Sequence, residues 1–315
     1  MNVFVVIVTF NGAAWIRGAL QSLRESRHPC TAVVVDNAST DQTAEIVRRE
    51  FPEAVLLETG ANLGFGRGNN LGIRHALNER ADAVFLLNQD AYVTPDAIGD
   101  MVAFLAAEPA FDIVTPLHCS PDLSQVDPQT QRGYLQRYAS RYLSDACIGQ
   151  VQPYYPIHGI NAAAWMLRSR VWTNVGGFDP LYFMYGEDDD LIARFAFHGH
   201  RTALLPASRI VHLRAKSPRP PQSWWQVTRG RCERARSGLL IDMKRPDGRL
   251  SGQLMRLIAD GLVRPFGNLL NDHDLQDFVA AIWATGRVLS ELPRIRRHAQ
   301  LCATPGAHFL GDDAR

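Results

Sequence analysis

Buried strand runs alternating with helix-like segments in the first hundred residues constrain this chain more than any other feature. Val3 to Thr9 is a continuous apolar, β-branched run, the pattern of a strand covered on both faces of a parallel sheet. Phe10-Asn11-Gly12 ends it, and Ala14 to Arg24 then sets Trp15, Ile16, Leu20 and Leu23 on one side of a helix. Ala32 to Val35 repeats the strand pattern and delivers Asp36 at its C-terminal end. After the turn Asn37-Ala38-Ser39, either Ser39 or Thr40 is placed to cap a helix running through Ala44 to Arg49. Val55 to Glu58 and Ala83 to Leu87 add two strands, the second leading into Asn88-Gln89-Asp90. This spacing predicts an α/β doubly wound half. Ligands of such sheets sit beyond the carboxyl ends of the strands, and Thr9, Asn11, Asp36 and Asp90 all fall on that edge.

The residue types at that edge suit a phosphorylated, hydroxyl-bearing ligand. Asp36 can accept hydrogen bonds from a nucleobase or a ribose, or it can cap the helix that follows. Asn62 to Asn70 reads Asn-Leu-Gly-Phe-Gly-Arg-Gly-Asn-Asn. Its alternating glycines let the backbone approach a ligand and present N–H groups to phosphate. The spacing is not GxGxxG, and a plain turn is the other reading. A single carboxylate such as Asp90 can hold Mg²⁺ or Mn²⁺, ions that take one or two protein carboxylates and the substrate's phosphates. Further on, Glu187 to Asp190 are four consecutive carboxylates between Gly186 and the helix-like run Leu191 to Phe195. The dipole at a helix N-terminus favours their ionised forms, whereas crowding raises some of their pKa values. Asp190 and Arg194, four apart, form an intrahelical ion pair.

Composition excludes several classes. At 315 residues the chain can bury one large core, or a core with an appendage. A formal charge of +1 lacks the basic excess of a nucleic-acid binder. Five scattered cysteines (Cys30, Cys119, Cys147, Cys232 and Cys302) form no CxxC pair, so reduced thiols in a cytosolic protein are expected. The chain opens directly on a strand with no basic n-region, so no signal peptide is expected. No run of 18 apolar residues escapes interruption by charge, so no membrane span is expected either.

Six segments then point to one family. Val-Thr-Phe-Asn at 8–11, Val-Val-Asp-Asn-Ala-Ser-Thr-Asp at 34–41 and the glycine segment at 62–70 resemble the family 2 glycosyltransferases with a GT-A fold. So do Leu-Leu-Asn-Gln-Asp at 86–90, Gly-Gly-Phe-Asp at 176–179 and Tyr-Gly-Glu-Asp-Asp-Asp-Leu at 185–191. The likeness covers roughly residues 1 to 215 and is nearest to the rhamnosyltransferase-like branch, whose members build bacterial surface polysaccharides. It implies that Thr9, Phe10 and Asn11 line the nucleotide site and that Asp36 contacts base or ribose. Asn62, Gly64 and Asn69 would shape the wall near ribose and diphosphate. Asp90 matches the last acid of the family's DxD metal motif, with Asn88 in place of the first, which leaves one fewer negative charge for Mg²⁺ or Mn²⁺. His212 matches a late histidine that completes the metal site. Asp188 matches the general base of inverting members, and Glu187 would bind acceptor hydroxyls or orient Asp188.

The implied reaction moves a sugar, rhamnose as first choice, from a nucleotide-diphospho-sugar to a hydroxyl of a glycan or lipid-linked glycan. Asp188 would take the acceptor's proton, and a cation at Asp90 and His212 would stabilise the leaving diphosphate. Galactofuranose or N-acetylhexosamine transfer remains open, as does a catalytically silent nucleotide- or glycan-binding subunit. Residues 1–115 would form the nucleotide-sugar half and 116–215 the acceptor half, with a helix from Gln131 to Tyr142. Trp165 would stack on a sugar or fill the core. A proline-rich linker, Ser217 to Pro221, would lead to an extension at 216–315 with helices around Trp225 to Met243, Leu250 to Leu270 and Leu275 to Leu292. Its tryptophans and arginines suit an anionic membrane surface; packing on the catalytic domain or in a homo-oligomer is the alternative. A cytoplasmic location, free or peripheral on the inner face of the cell membrane, is expected. Residues after Arg297 read as a frayed end.

Overall fold

Side chains of β1 (Val3–Thr9) divide between two cores, Phe4 and Val6 on one face of the sheet and Val3, Val5 and Ile7 on the other. Each such side chain contributes about 1.5–3 kcal/mol on full burial, which fixes this strand at the centre. The computed structural model describes residues 1–159, 162–214, 223–245, 248–272 and 274–311. The boundary expected at 215/216 and the linker Ser217–Pro221 lie outside the described residues.

The sheet runs β3 (Val55–Glu58), β2 (Thr31–Asp36), β1, β4 (Ala83–Leu87), β8 (Ala164–Arg168), β6 (Ile113–Cys119), β9 (Thr202–His212), β5 (Ala91–Val93), with β7 (Tyr155–Ile157) also on β9. β3, β2, β1 and β4 are parallel throughout. Beyond β4 the pairing alternates: β8 is antiparallel to β4 and β6, whereas β6 and β9 are parallel. The mostly parallel sheet read from the first half therefore becomes mixed in the second.

Helices α1 (Ile16–Arg24), α2 (Thr43–Glu50), α3 (Phe65–Asn78) and α4 (Ala97–Ala107) pack on the sheet. Neither Ser39 nor Thr40 caps α2. Both are held by Asn11 instead, and the Asp41 carboxylate takes the Thr43 N–H at 3.0 Å. α3 lies against the sheet closely enough that a Cβ at Gly72 would collide with Val6.

The helix expected from Gln131 to Tyr142 is broken. Turns α5 (Pro128–Thr130), a π-turn Gln131–Leu135 and α6 (Gln136–Tyr138) precede α7 (Ser140–Cys147). α8 (Ser169–Val175) and α9 (Glu187–Phe197) follow. The C-terminal part comprises α10 (Trp224–Lys244), α11 (Leu250–Ile258), a π-turn Ala259–Val263, α12 (Arg264–Asp272), α13 (Leu275–Ser290) and α14 (Leu292–Cys302). Leu239, Leu240, Met243, Ala284, Val288 and Ile295 share one core with Leu181 and Tyr182 of the preceding part, so these helices pack on the acid-bearing segment.

The end of the chain is not frayed through residue 311. Gly177 donates from its N–H to the His308 carbonyl (2.8 Å), Asn70 Nδ2 donates to the Phe309 carbonyl (3.1 Å), and Leu310 is buried. All five cysteines are free thiols.

Candidate active site

Parallel strands end together, so Thr9, Asp36 and the β4–β5 turn meet on one edge. Gln89 ties this edge: its Oε1 accepts from Thr9 Oγ1 at 2.6 Å and from the Phe10 N–H at 3.1 Å. Phe10 itself is exposed at the rim. Asn11 takes a left-handed backbone (φ 49°), donates from its N–H to Ser39 Oγ (2.9 Å) and accepts from the Thr40 N–H (2.8 Å). Its amide is spent on bracing two loops.

Asp36 is 3 % exposed, and only its Oδ2 finds a donor, the Ser39 N–H at 3.2 Å. Oδ1 is buried with no partner among the described residues. An unpaired buried acceptor costs about 1–3 kcal/mol, and it is explained if a ligand supplies the donor.

Asn37, which the sequence reading passed over, pins the glycine segment. Its Oδ1 accepts from the Leu63 N–H (2.8 Å), and its Nδ2 donates to the Gly64 carbonyl (3.2 Å) and to Asn62 Oδ1 (3.0 Å). Gly64 sits at φ 83°, and a Cβ there would strike the carbonyl oxygen of Phe183, so the wall requires glycine. Asn69 does not join that wall. It is 2 % exposed and donates to the Phe65 carbonyl within its own helix (3.0 Å). Its neighbour Asn70 instead clamps Phe178, accepting from its N–H and donating to its carbonyl, both at 2.8 Å.

β5 pairs with the end of β9 and brings Asp90 Oδ1 to 3.5 Å from His212 Nε2. His212 is 4 % exposed and its Nδ1 has no partner among the described residues. Two neighbouring ligands on a cation with bonds near 2.1 Å stand roughly 3 Å apart, so this pair fits one shared ion with modest adjustment. No third His, Cys, Asp or Glu converges on it among the described residues, and diphosphate or water would complete the shell. Beside His212 packs His118, its ring centroid 5.7 Å away, and burial first, then the neighbouring His212, drives the His118 pKa down to about 3. His118 is therefore neutral in this pocket.

The acid cluster opens α9. Gly186 caps it in a left-handed conformation (φ 85°), which only glycine adopts without strain. Burial, followed by the charge of Asp189, raises the Asp188 carboxyl to about 6. Glu187, with Oε2 buried and unpaired, is pushed by burial up to about 7. Burial thus overrides the helix dipole, and crowding is the secondary cause. Tyr134 packs near these acids, its hydroxyl driven to about 12 by burial and then by Asp188 and Asp189. Arg137 draws the Asp189 pKa down against the stronger upward pull of burial.

The 131–138 segment therefore faces the acids, and neither Tyr134 nor Arg137 carried a sequence signal. Phe183, Met184 and Tyr185 are exposed beside the cluster. Trp165 is not available to a sugar: it is fully buried in β8 and packs edge-on against Phe195 (6.2 Å). Its place is the core, because β8 lies inside the sheet with both faces covered.

Asp190 anchors α9 from below. Lys244 Nζ lies 2.5 Å from both Asp190 Oδ1 and Asp179 Oδ2, Arg194 Nε donates to Asp190 Oδ2 at 3.0 Å, and His298 Nδ1 lies 2.8 Å from Asp179 Oδ1. The expected Asp190–Arg194 pair is present inside a larger buried network. The two acid centres are joined by the stretch before β8. The Asn88 N–H donates to the Ala163 carbonyl at 3.0 Å, while Asp188 accepts from the Ala162 backbone.

The helix-flanked sheet is a GT-A fold, the fold of nucleotide-sugar glycosyltransferases, and this chain is one of that class. The chain belongs to glycosyl transferase family 2, whose description matches residues 4–171. Residues 145–216 also match the description "N-terminal domain of galactosyltransferase". An N-acetylglucosaminyl-diphospho-decaprenol L-rhamnosyltransferase of Mycobacterium tuberculosis is 28% identical over 238 residues, covering 68% of this chain and 76% of the relative. A dTDP-rhamnosyl transferase of Shigella flexneri is 26% identical over 212 residues, 67% of this chain and 69% of its own. Among solved structures, a mannosyltransferase from Pyrobaculum calidifontis in complex with GDP-Man and Mn²⁺ superposes with a TM-score of 0.56 at 22% identity, over 96% of this chain and 84% of the other.

Proposed function

We propose that this glycosyltransferase is an inverting rhamnosyltransferase acting on a hydroxyl of a bacterial surface-glycan acceptor carried on a lipid diphosphate. The observation that carries the reading is the bridge at Ala162–Ala163, whose backbone meets Asp188 on one side and the Asn88 N–H on the other, two residues before Asp90. The donor's nucleoside would bond to the open Oδ1 of Asp36, with the diphosphate lying along the Asn62–Gly64 wall toward Asp90. Asp90 and His212 would hold a divalent cation. Such an ion neutralises charge on a departing diphosphate.

Asp188, as the carboxylate, removes the proton of the acceptor hydroxyl. That oxygen forms the new bond to the anomeric carbon while the carbon–oxygen bond to the diphosphate breaks, its electron pair leaving with the phosphate. Glu187, pushed by burial up to about 7, keeps a protonated fraction near neutrality that can donate to an acceptor oxygen. Phe183 and Tyr185 offer apolar faces to the acceptor in the role first given to Trp165. The rhamnosyl donor and the lipid-linked acceptor are supported by the names of the relatives from Mycobacterium tuberculosis and Shigella flexneri, and the use of Mn²⁺ by the Pyrobaculum calidifontis structure.

Thermal stabilisation by dTDP, UDP and GDP, each with and without Mn²⁺, tests the donor site, because a ligand bound only to the folded state raises its stability. A shift with dTDP that grows with Mn²⁺ and loses that growth in Asp90→Ala is expected. Absence of any shift with all three nucleotides would leave a catalytically silent subunit as the better account.

A further inference from the structure

The last helix, α14, turns a cationic side to a recess that the proposed reaction leaves unused. Arg294, Arg297 and His298 stand at the three- and four-residue spacing that aligns them on one side of the helix. The recess they line, about 430 Å³ in volume, is shared with Arg67 in the first turn of α3 and with His308 near the chain end. Leu301, one turn further along α14, and Phe309 add apolar wall, and no Asp or Glu lines the recess among the described residues.

Its cations are not spent on neighbouring acids. Arg294 and Arg297 are exposed and make no ion pair among the described residues. Glu291, just before α14, is taken by Arg236 and Arg287, and the buried Asp179 by Lys244 and His298. Arg67 donates one N–H, to the Pro180 carbonyl at 3.3 Å, and a guanidinium carries five. His298 places Nδ1 against Asp179 (2.8 Å) and stacks its ring on Phe309 (5.4 Å), so Nε2 is the nitrogen left for a ligand. Three guanidinium groups from two helices, set around a recess of ligand size, are the donor set that phosphate oxygens match.

We infer that this recess is an anion site, apart from the proposed donor site, that binds the phosphate or diphosphate group of a free or lipid-linked small molecule. It uses none of the residues assigned to donor or base. Through His298 it adjoins the Asp179–Lys244–Asp190 network under α9, so a bound anion would bring α3, α14 and the chain end together beside the support of the acid cluster.

Isothermal titration of the full chain with inorganic pyrophosphate tests it, in EDTA so that no cation can deliver the anion to Asp90 and His212. Binding is expected, and Arg297→Gln should weaken it about tenfold, the loss of charge-assisted hydrogen bonds. Arg296→Gln removes the same charge from the same helix, but Arg296 lines a different hollow with Met243 and Gln300. Its affinity should stay within about twofold of the parent's, because salt screens a charge that makes no contact. Both arginines are exposed, so melting temperatures without ligand should match the parent's. Farnesyl diphosphate, titrated in parallel, carries the same group on a lipid tail. Equal affinity would assign recognition to the phosphates of a free molecule, and tighter binding would bring in Leu301 and Phe309 and assign a lipid-linked one.

Three results would overturn the inference. One is a parent that takes up no pyrophosphate at millimolar concentration. Another is an equal loss in Arg296→Gln, which would reduce the effect to general surface charge. The third is binding that emerges only in Asp312→Asn/Asp313→Asn, which would give the recess to the chain's own end, since those acids follow Gly311 at its rim.

Discussion

Asp188→Asn is expected to lower turnover by roughly 10²–10⁴-fold, the usual contribution of a positioned general base, while donor affinity stays close to that of the parent. The amide keeps the size and the hydrogen bond from the Ala162 backbone but cannot take a proton. The parent's pH dependence follows from the same carboxyl. Burial raises it to about 6, with the charge of Asp189 as the second cause, and only the ionised form acts as base. Activity should therefore fall as pH drops through about 6 and level off above it, whereas the residual rate of Asp188→Asn should lack that limb. Initial rates across this range, with nucleotide affinity measured in parallel, check both parts. A variant as active as the parent would remove Asp188 from the reaction.

Lys244→Met should produce the largest loss of stability in the chain. Lys244 is 2% exposed and lies 2.5 Å from both Asp179 and Asp190. Removing it leaves two buried carboxylates with no cation but Arg194 and His298, and the Leu181 N–H as a further donor to Asp179; breaking a buried pair by deleting one partner costs about 3–5 kcal/mol. The sign with pH follows from Asp179. Burial alone would raise its pKa, but the Lys244 charge and then His298 outweigh burial and hold it well below the usual carboxylate range. A depressed carboxylate contributes stability above its unfolded pKa and loses it as pH falls through the folded one. The gap between parent and variant should thus be widest near neutrality and narrow on acidification. Urea midpoints at pH 7 and near pH 4 measure this; equal stabilities at pH 7 would show the network to be dispensable. Because Asp190 lies two residues from Asp188 on α9, the same lysine ties the C-terminal helices to the proposed catalytic acid.

The donor edge was legible because its information is local. Continuous apolar strands announce themselves in seven residues, and the polar residue ending each one falls on the ligand side by topology. Asp36 and Asp90 stand at strand ends as the pattern expects, and the acid run, whose charge density is unmistakable, opens a helix. What escaped was fixed by distant partners. Lys244 meets Asp190 across 54 positions, and Asn70 meets Phe178 across 108; no period or motif relates such pairs. Asn69 turns into its own helix and Asn70 toward Phe178, a difference between adjacent asparagines that sequence cannot show. Trp165 suits a sugar by residue type, but β8 lies between two covered faces and holds it in the core. The alternating second half of the sheet was equally hidden, since β6 contains Pro116 and His118 and lacks a clean β-branched run.

The anomeric configuration of the product tests the central claim most directly. With a nucleotide-sugar of known configuration and a hydroxyl acceptor, NMR of the new glycosidic linkage reads the stereochemistry at the carbon that changes partners. One displacement assisted by one base at Asp188 predicts a linkage of inverted configuration. A product that retains the donor's configuration would contradict it, because retention needs a second displacement for which Asp188 alone does not provide.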